Sequence, residues 1–223
     1  MGICYLFGAG MYHSDDTLCI TDNDYIIAVD GGYDFLKRKN IMPDLIVGDF
    51  DSIDKKNAEN ILSGTHIPVI SFPPEKDYTD MYLAATEGIN LGYTDFAIYG
   101  GCGGRIDHTL SNITLLAHLA SSHCNAFLYD DGYVITAIKD SVFSPSALQN
   151  DSLRTSLMTK DTGYISVLSH SDISTGVTIS GLKYETDDIT LTNTMVLGTS
   201  NEFCGGDFSI SVKSGTLLIV MEL

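Results

Sequence analysis

The sequence predicts an α/β protein: an N-terminal three-layer α/β domain with a mostly parallel sheet, followed by a C-terminal antiparallel β-sandwich domain. Two observations support this prediction. Up to about residue 130, short apolar runs alternate with segments of helical periodicity. After about residue 131, runs rich in Thr and Ser follow one another and helix formers are sparse. We therefore expect two domains, residues 1–131 and residues 132–223.

The first half has the pattern of buried parallel strands, which read as continuous apolar runs. Such runs occupy residues 3–7, 25–29, 44–47, 67–72, 95–100 and 125–130. Helical periodicity lies between several of them, at residues 33–39, 54–62, 79–91 and 107–121. Strands that alternate with helices in this way form a parallel sheet covered by helices.

The second half has the pattern of half-buried antiparallel strands, because several of its runs alternate apolar and polar residues. These runs occupy residues 133–138, 163–169, 176–180, 188–197, 207–212 and 216–222. The stretch 140–160 has no clear period, and we expect it to be mostly loop with weak helix.

Composition excludes several classes of function. The net charge is −17, from 12 basic and 29 acidic residues, and such a chain repels the phosphates of nucleic acids. No apolar run reaches the roughly 18 residues of a membrane span, so no membrane partner is expected. The five cysteines are odd in number and form no CxxC motif, which favours free thiols and a cytoplasmic protein.

Four successive strand ends are rich in glycine and charged residues. In an open α/β sheet, ligands bind at the carboxyl ends of the strands. One such end would be ordinary turn chemistry. Four of them on one edge predict a binding site. The segments are DGG at 30–32, GDFDS at 48–52, KDYTD at 76–80 and GGCGGRIDH at 100–108.

Three of the carboxylates at these strand ends suggest a metal site. Asp49, Asp51 and Asp80 would converge at one edge, and Mg²⁺ would offset their mutual repulsion while binding substrate phosphates. A structural alternative stays open for Asp80, because Thr79 is placed to cap the helix that follows. An acid in the first turn of a helix is favourable without any metal.

The glycine-rich segment 100–104 runs into a helix, where backbone N–H groups can form an anion cradle. Arg105 adds a planar group that suits phosphate oxygens. A simple turn explains the glycines about as well. Together with the carboxylates, however, this combination is suited to phosphoryl or pyrophosphoryl transfer.

The segment LIVGDFDSI also resembles the first motif of haloacid-dehalogenase-like phosphatases. That resemblance implies Asp49 as a nucleophile in a Mg²⁺-dependent phosphatase. Two features oppose it: the motif closes the third strand rather than the first, and the later glycine and arginine loop has no role in it. A second alternative is a nucleotide sensor that binds its ligand without turnover.

The complete set of motifs resembles the thiamine pyrophosphokinase family. The resemblance spans nearly the whole chain, with the motifs in the family's order. They are VDGG (29–32), PDLIVGDFDSI (43–53), KDYTD (76–80), GGCGGRIDHTLSNI (100–113), GTSNEF (198–203) and SGTLLIVME (214–222).

The resemblance implies an α/β domain followed by a β-sandwich, which transfers the pyrophosphoryl group of ATP to thiamine with Mg²⁺ and releases AMP. It also implies a homodimer with the active site at the subunit interface. Carried over, Asp49, Asp51 and Asp80 bind the metal, and Asp49, Asp80 and Arg105 are catalytic. The resemblance places these residues at ATP: Asp30, Gly31, Thr79, Gly104, Arg105, Asp107 and His108. It places Asp77, Ser200 and Asn201 at the second substrate.

One feature departs from the family pattern. Some relatives carry a Trp in the last strand that stacks on thiamine, and this chain has no Trp. Ile219 occupies the corresponding place. We therefore expect either weaker binding of thiamine or an aromatic contact from Tyr184 or Phe203.

Overall fold

The computed structural model describes residues 2–12, 18, 20–48, 66–72 and 77–223. Contacts divide the chain into two compact units. The first unit comprises Met1–Leu115 and Ala126–Asp131, and the second comprises Leu116–Asn125 and Gly132–Leu223. The two domains expected from the sequence, residues 1–131 and 132–223, stay a prediction.

The first unit contains the predicted parallel sheet. Its strands are β1 (Cys4–Phe7), β2 (Tyr25–Val29), β3 (Leu45–Gly48), β4 (Val69–Ser71), β5 (Asp95–Tyr99) and β6 (Asn125–Asp130). They lie in the order β6–β5–β1–β2–β3–β4, and β1 pairs in parallel with both β2 and β5. The pairs β2–β3 and β3–β4 are also parallel. The strand order therefore reverses at β1, the position where ligands bind in such sheets.

The predicted helices within the described residues are confirmed to within one residue at each end. They are α1 (Gly32–Arg38), α2 (Asp80–Asn90) and α3 (Ile106–Ser121). The helix predicted at 54–62 lies outside the described residues. No helix in the described part of the chain is long and apolar enough to cross a membrane.

Helices cover both faces of this sheet, as predicted for a three-layer domain. On one face, Phe7 of β1 packs in a buried cluster with Phe35 and Leu36 of α1. Cys4 lies three residues before Phe7 on the same strand. Its side chain therefore points to the opposite face of the sheet, because successive side chains of a strand alternate between the two faces. There, a methyl group added to Gly88 of α2 would lie 2.9 Å from Cys4 Sγ, so the helix packs closely on that face.

The second unit is built from antiparallel strands, in agreement with the predicted fold class. Its strands are β7 (Tyr133–Lys139), β8 (Val142–Phe143), β9 (Tyr164–Ser169), β10 (Ile173–Ser180), β11 (Thr186–Thr192), β12 (Asn201–Glu202), β13 (Ser209–Ser211) and β14 (Thr216–Glu222). Four of them are hydrogen-bonded neighbours in the order β12–β9–β14–β7, and the other four form a separate sheet in the order β11–β10–β13–β8. The neighbouring strands in each group of four pair antiparallel.

The stretch 140–160 contains more regular secondary structure than predicted. It contains β8, a short 3₁₀ helix and α4 (Asp151–Thr159). The side-chain oxygen of Asn150 accepts a hydrogen bond of 2.9 Å from Leu153 N–H and so caps α4. Leu153 and Leu157 are buried one turn apart. The prediction of mostly loop was wrong because this cap and two apolar anchors outweigh the weak helix propensity of the Ser and Thr residues.

Candidate active site

A pocket of about 440 Å³ opens in the first unit at the carboxyl ends of β1, β2 and β5. Two glycine-rich loops form much of its wall: the N-terminal loop, residues 8–12, and the glycine loop, residues 100–104. The first turn of α2 and the first two turns of α3 complete it. The predicted site residues that line it are Asp30, Thr79, Asp80, Gly104, Arg105 and His108.

The N-terminal loop and the glycine loop are joined backbone to backbone. Gly10 N–H donates to Gly100 O and Met11 N–H donates to Cys102 O, each at 2.8 Å. Gly8 N–H donates to Tyr99 O at the end of β5, also at 2.8 Å. Gly10 leaves no room for a side chain, since an added methyl group would overlap Cys102 O and lie 2.6 Å from Gly100 O. The two loops therefore form one continuous wall of the pocket. The sequence motifs did not predict that the N-terminal loop is part of this wall.

The N-terminal loop is also attached to α1 through Tyr12. The Tyr12 hydroxyl donates a hydrogen bond of 2.5 Å to Gly8 O. Its ring stacks on Phe35 with centroids 3.6 Å apart. This aromatic contact ties the loop to the buried cluster of the sheet, which limits its freedom to move away from the pocket.

The glycine loop has the backbone of an anion cradle. Gly103 and Gly104 have φ angles of 83° and 69°, a left-handed conformation that glycine adopts without steric cost. Neither N–H group has an acceptor among the described residues. Both residues line the pocket just before α3 begins, where the helix dipole also favours negative charge.

The side chain of Asn112 is hydrogen-bonded to the glycine loop. The sequence did not predict a role for this residue. Its side chain is only 7% exposed, and Nδ2 donates a hydrogen bond of 2.6 Å to Gly101 O. It lies one helical turn after His108, so both residues face the pocket. A polar residue on the apolar stripe of the predicted helix was the signal that could have identified it.

Asp30 follows β2 in a left-handed conformation, with φ of 47°. Its N–H donates to Val47 O at 3.0 Å, and its carbonyl accepts from Tyr33 N–H at 3.1 Å as the chain enters α1. A methyl group on Gly48 would overlap Asp30 Oδ1, so this carboxylate lies against the end of β3. Gly31, also predicted at the site, directly precedes α1 and does not line the pocket.

The start of α2 has the helix cap that the sequence predicts. Thr79 caps the helix: its Oγ1 accepts a hydrogen bond of 3.3 Å from Tyr82 N–H. Asp80 is the first helical residue and lines the pocket with Thr79. Asp77, predicted to contact substrate, is exposed and lies outside the pocket lining.

Arg105 stands at the mouth of the pocket in an ion pair with Asp107. Its Nε and Nη2 donate to the two carboxylate oxygens at 3.1 and 2.6 Å. The pair raises the pKa of Arg105 and lowers the pKa of Asp107. Both side chains are largely exposed, at 73% and 62%, so the pair adds little to stability. A side-on pair of this kind leaves three of the five guanidinium N–H donors available for a phosphate.

The described residues alone do not form a metal site. Asp49 and Asp51 lie outside them, and within them no group of three His, Cys, Asp or Glu side chains is arranged to hold a metal ion. The described carboxylates that line the pocket are Asp30 and Asp80. Oxygen donors of this type fit Mg²⁺, which also uses water and substrate phosphates as ligands.

Cys102, in the glycine loop, is unsuited to nucleophilic attack. Burial, together with the nearby negative charge and hydrogen bonding of Asp130, raises the pKa of its thiol to about 12. Because the thiolate is the reactive form of cysteine, this residue stays protonated and inert at neutral pH.

In the second unit, two neighbouring residues are predicted to contact thiamine, and one of them is exposed whereas the other is buried. Ser200 is exposed, has a φ angle of 57° and donates its N–H to Ser166 Oγ at 3.1 Å. Asn201 is 4% exposed, and its side-chain amide pairs with both backbone groups of Tyr184 at 2.9 and 2.8 Å. Asn201 thus fixes the backbone that carries Tyr184.

Of the two aromatic residues expected near thiamine, the structure leaves one accessible. Tyr184 is 57% exposed, with Lys183 Nζ 5.4 Å from its ring centroid. Phe203 is 4% exposed and packs edge-on against Phe208. Ile219, in β14, is fully buried. Tyr184 is therefore the accessible member of the pair.

Comparison with known proteins identifies the family. The family model for the thiamin pyrophosphokinase catalytic domain matches residues 17–128, and the model for its vitamin B1 binding domain matches residues 152–217. The chain belongs to the thiamin pyrophosphokinase family. These matches support the family suggested by the sequence motifs and give no support to the phosphatase alternative.

Individual members of the thiamin pyrophosphokinase family resemble the chain over most of its length. It is 27% identical to thiamin pyrophosphokinase 1 of Caenorhabditis elegans, over 89% of this chain and 79% of that protein. It is 28% identical to thiamine pyrophosphokinase of Bacillus subtilis, over 87% of this chain and 85% of that protein. The Bacillus subtilis crystal structure superimposes with a TM-score of 0.83, covering 100% of this chain and 99% of that chain.

The fold also extends to more distant members of the thiamin pyrophosphokinase family. The yeast crystal structure superimposes with a TM-score of 0.71 at 18% identity, covering 100% of this chain and 86% of that chain. At this identity the likeness concerns the fold alone. It shows that the α/β unit and the antiparallel unit occur together in this family.

Proposed function

We propose that this protein transfers the pyrophosphoryl group of ATP to the hydroxyl group of thiamine, producing thiamine diphosphate and AMP. The observation that carries the proposal is the pocket at the end of β1, where a glycine cradle, Arg105 and the carboxylate of Asp80 meet. Such a site positions phosphates and neutralises charge, which supplies most of the catalysis in transfers of this type. Membership of the family supports the choice of substrates.

In this proposal the N–H groups of the glycine loop and the available donors of Arg105 bind the phosphates of ATP. Asp30, Thr79 and His108 shape the ATP pocket, and Gly104 gives the backbone close access. Asp107 acts on ATP through Arg105. These assignments rest on the pocket lining and on the ion pair. Gly31 lies outside the pocket lining, and its place at ATP rests on the family resemblance alone.

Asp49, Asp51 and Asp80 would hold Mg²⁺, which when bound offsets the negative charge of the phosphates. Asp49 or Asp80 accepts the proton of the thiamine hydroxyl as its oxygen bonds to the β-phosphorus. The bond from that phosphorus to the oxygen of AMP breaks, and AMP leaves with the bonding electrons. The proton, the pyrophosphoryl group and the leaving group are then all accounted for.

We place thiamine at the subunit interface, near Asp77 of one subunit and near Ser200 of the partner subunit. There the ring of Tyr184 of the partner subunit would contact thiamine, with Asn201 of the partner subunit positioning it. We also propose that the protein is a cytoplasmic homodimer with the active site at the subunit interface. Light scattering of the purified protein tests the dimer, and a monomeric mass at the concentration used for assay would contradict it.

The function is tested by incubating the protein with thiamine, ATP and Mg²⁺ and separating the products. We expect AMP and thiamine diphosphate in equal amounts. ADP with thiamine monophosphate would refute pyrophosphoryl transfer. ATP binding without any turnover at saturating substrates and metal would instead identify a sensor.

The phosphatase alternative makes a different prediction that a single experiment can check. It requires a phosphoryl group on Asp49 and no second substrate. We expect no phosphorylated Asp49 after incubation with a phosphate ester and Mg²⁺, followed by acid quenching and mass spectrometry. Trapping of that species would favour the phosphatase.

Replacing Arg105 with Lys should raise KM for ATP by about tenfold or more. The planar guanidinium group of Arg can bind Asp107 and a phosphate at the same time, whereas the ammonium group of Lys is a single point charge without that geometry. KM for thiamine should stay within about twofold. Steady-state kinetics with each substrate varied in turn measure both values. Arg154→Lys is the matched control, since Arg154 also pairs with an aspartate but belongs to α4. Equal effects of the two substitutions would contradict a role for Arg105 at ATP.

Replacing Ser200 with Ala should raise KM for thiamine by about three- to tenfold, the usual effect of losing one hydrogen bond. KM for ATP should not change, because the proposal places Ser200 at thiamine alone. The control is Ser166→Ala, which removes the acceptor of the Ser200 N–H but leaves the Ser200 hydroxyl in place. A parallel rise in both KM values for Ser200→Ala would reject the assignment.

A further inference from the structure

The hydrogen-bond ladder between β1 and β5 is broken at Gly8, which is buried. Gly8 N–H still donates to Tyr99 O at 2.8 Å, as parallel pairing of β1 with β5 requires. The next bond of such a ladder would run from Gly101 N–H to Gly8 O, and the structure does not form it. The chain turns away instead at Gly100, where φ is 61°, and enters the glycine loop. Gly8 O therefore needs a different donor, because an unpaired buried carbonyl group costs free energy.

The hydroxyl group of Tyr12 is that donor. It donates a hydrogen bond of 2.5 Å to Gly8 O, which has no other partner among the described residues. The ring of Tyr12 stacks on Phe35 with the two ring planes 6° apart, and this contact fixes where the hydroxyl points. A methyl group added to Gly100 would lie 2.5 Å from Tyr12 Cζ and Oη, so the hydroxyl end of the ring lies against the turn itself.

The turn at Gly100 is also the step that creates the phosphate cradle. Beyond it lie Gly103 and Gly104, which line the pocket and whose N–H groups have no acceptor among the described residues. Without the Tyr12 hydroxyl, Gly8 O would be left to pair with Gly101 N–H. That bond would continue the ladder and draw the glycine loop back towards the sheet, away from its present course.

We infer that Tyr12 is a positioning residue for phosphate binding: its hydroxyl takes the place of the missing ladder bond and so holds the glycine loop in the cradle conformation. Tyr12 does not line the pocket and acts through Gly8 and Gly100, which do. This inference rests on the proposed binding of ATP phosphates at the cradle. It adds to the site a residue that no sequence motif includes.

The test replaces Tyr12 with Phe, which keeps the stacked ring and removes the hydroxyl. Dissociation constants for ATP and for inorganic tripolyphosphate are measured by calorimetry with Mg²⁺ and without thiamine. We expect both constants to rise about tenfold, the usual effect of leaving one buried acceptor unpaired. Tripolyphosphate has no nucleoside, so an equal rise for the two ligands locates the effect at the phosphates.

Steady-state kinetics of Tyr12→Phe provide a readout that a general loss of structure would not give. KM for ATP should rise by the same factor, while kcat at saturating ATP and KM for thiamine stay within about twofold. Thermal unfolding checks that the variant is folded. Tyr12→Leu, which loses the ring stack as well as the hydroxyl, should bind both ligands no more tightly than Tyr12→Phe.

The matched control is Tyr129→Phe. Tyr129 packs on the same aromatic cluster as Tyr12, where its ring stacks on Tyr99 with centroids 4.7 Å apart, and it lies outside the pocket lining. Removal of this hydroxyl should leave the binding of ATP and of tripolyphosphate unchanged. An equal loss in both Phe variants would overturn the inference, because the effect would then belong to the cluster as a whole.

Three further outcomes would overturn the inference. Natural affinity in Tyr12→Phe would do so, and if Tyr12→Leu were impaired, the ring stack alone would hold the loop. Weaker binding of ATP with unchanged binding of tripolyphosphate would place the effect away from the cradle. Absence of tripolyphosphate binding by the natural protein would remove the cradle itself. Failure of the proposed reaction would show separately, as ligand binding by the natural protein without AMP formation.

Discussion

Asp80→Asn should lower the rate of thiamine diphosphate formation by about a thousandfold or more, while the protein stays folded. The carboxylate lies at the pocket wall beside the phosphate cradle, where the proposal gives it a metal-binding role and a share in proton transfer. Asparagine keeps the shape and removes the negative charge. Thr79 still caps α2, and loss of the negative charge from the first turn should cost about 0.3–1 kcal/mol through the helix dipole.

Three measurements separate this prediction from a general loss of structure. Initial rates give kcat, thermal unfolding gives stability, and titration with Mg²⁺ shows whether the residual activity needs more metal. Glu87→Gln is the matched control, because Glu87 lies two turns later on the same helix and outside the pocket lining. Near-natural activity of Asp80→Asn would exclude Asp80 as both metal ligand and proton acceptor.

Gly10→Ala should abolish measurable ATP binding and destabilise the protein by about 1–3 kcal/mol, the usual range for overpacking. The added methyl group would press on the carbonyl oxygens of Gly100 and Cys102, which belong to the facing loop. Relief of this overlap requires the two loops to separate, and the cradle N–H groups would lose their arrangement. Calorimetric titration with ATP and chemical denaturation measure the two effects.

The control for Gly10→Ala is Gly206→Ala in the second unit. There the added methyl group meets no atom within 4 Å, and only the left-handed backbone, with φ of 90°, is strained. We expect a comparable loss of stability, about 1–2 kcal/mol, with unchanged ATP binding. If Gly10→Ala bound ATP as tightly as the natural protein, the contact between the two loops would have no part in the site.

The features predicted correctly from the sequence are those set by neighbouring residues. Thr79 caps a helix because its hydroxyl reaches an N–H three residues later, and the apolar runs of β1, β2 and β5 form strands for local reasons. The parallel sheet then follows from the alternation of strands and helices. The clustering of Asp30, Asp80 and Arg105 at one pocket could be predicted as well, because carboxyl ends of parallel strands share an edge.

The features missed depend on contacts between distant segments. No local pattern shows that Gly10 lies under Gly100, or that Asn112 reaches back to Gly101. The pairing of the Asn201 side chain with the backbone of Tyr184 also joins residues that are remote in sequence. Such contacts are set when the whole sheet is assembled.

The backbone pairing of the two loops has a practical consequence for anyone who dissects this protein. The region matched by the catalytic family model begins at residue 17, after the N-terminal loop. A fragment cut at that boundary would keep the complete GGCGGRIDH motif yet lose β1, the centre of the sheet, together with half of the cradle wall. A fragment can therefore retain the motif without retaining the binding site, because the site also needs β1 and the N-terminal loop.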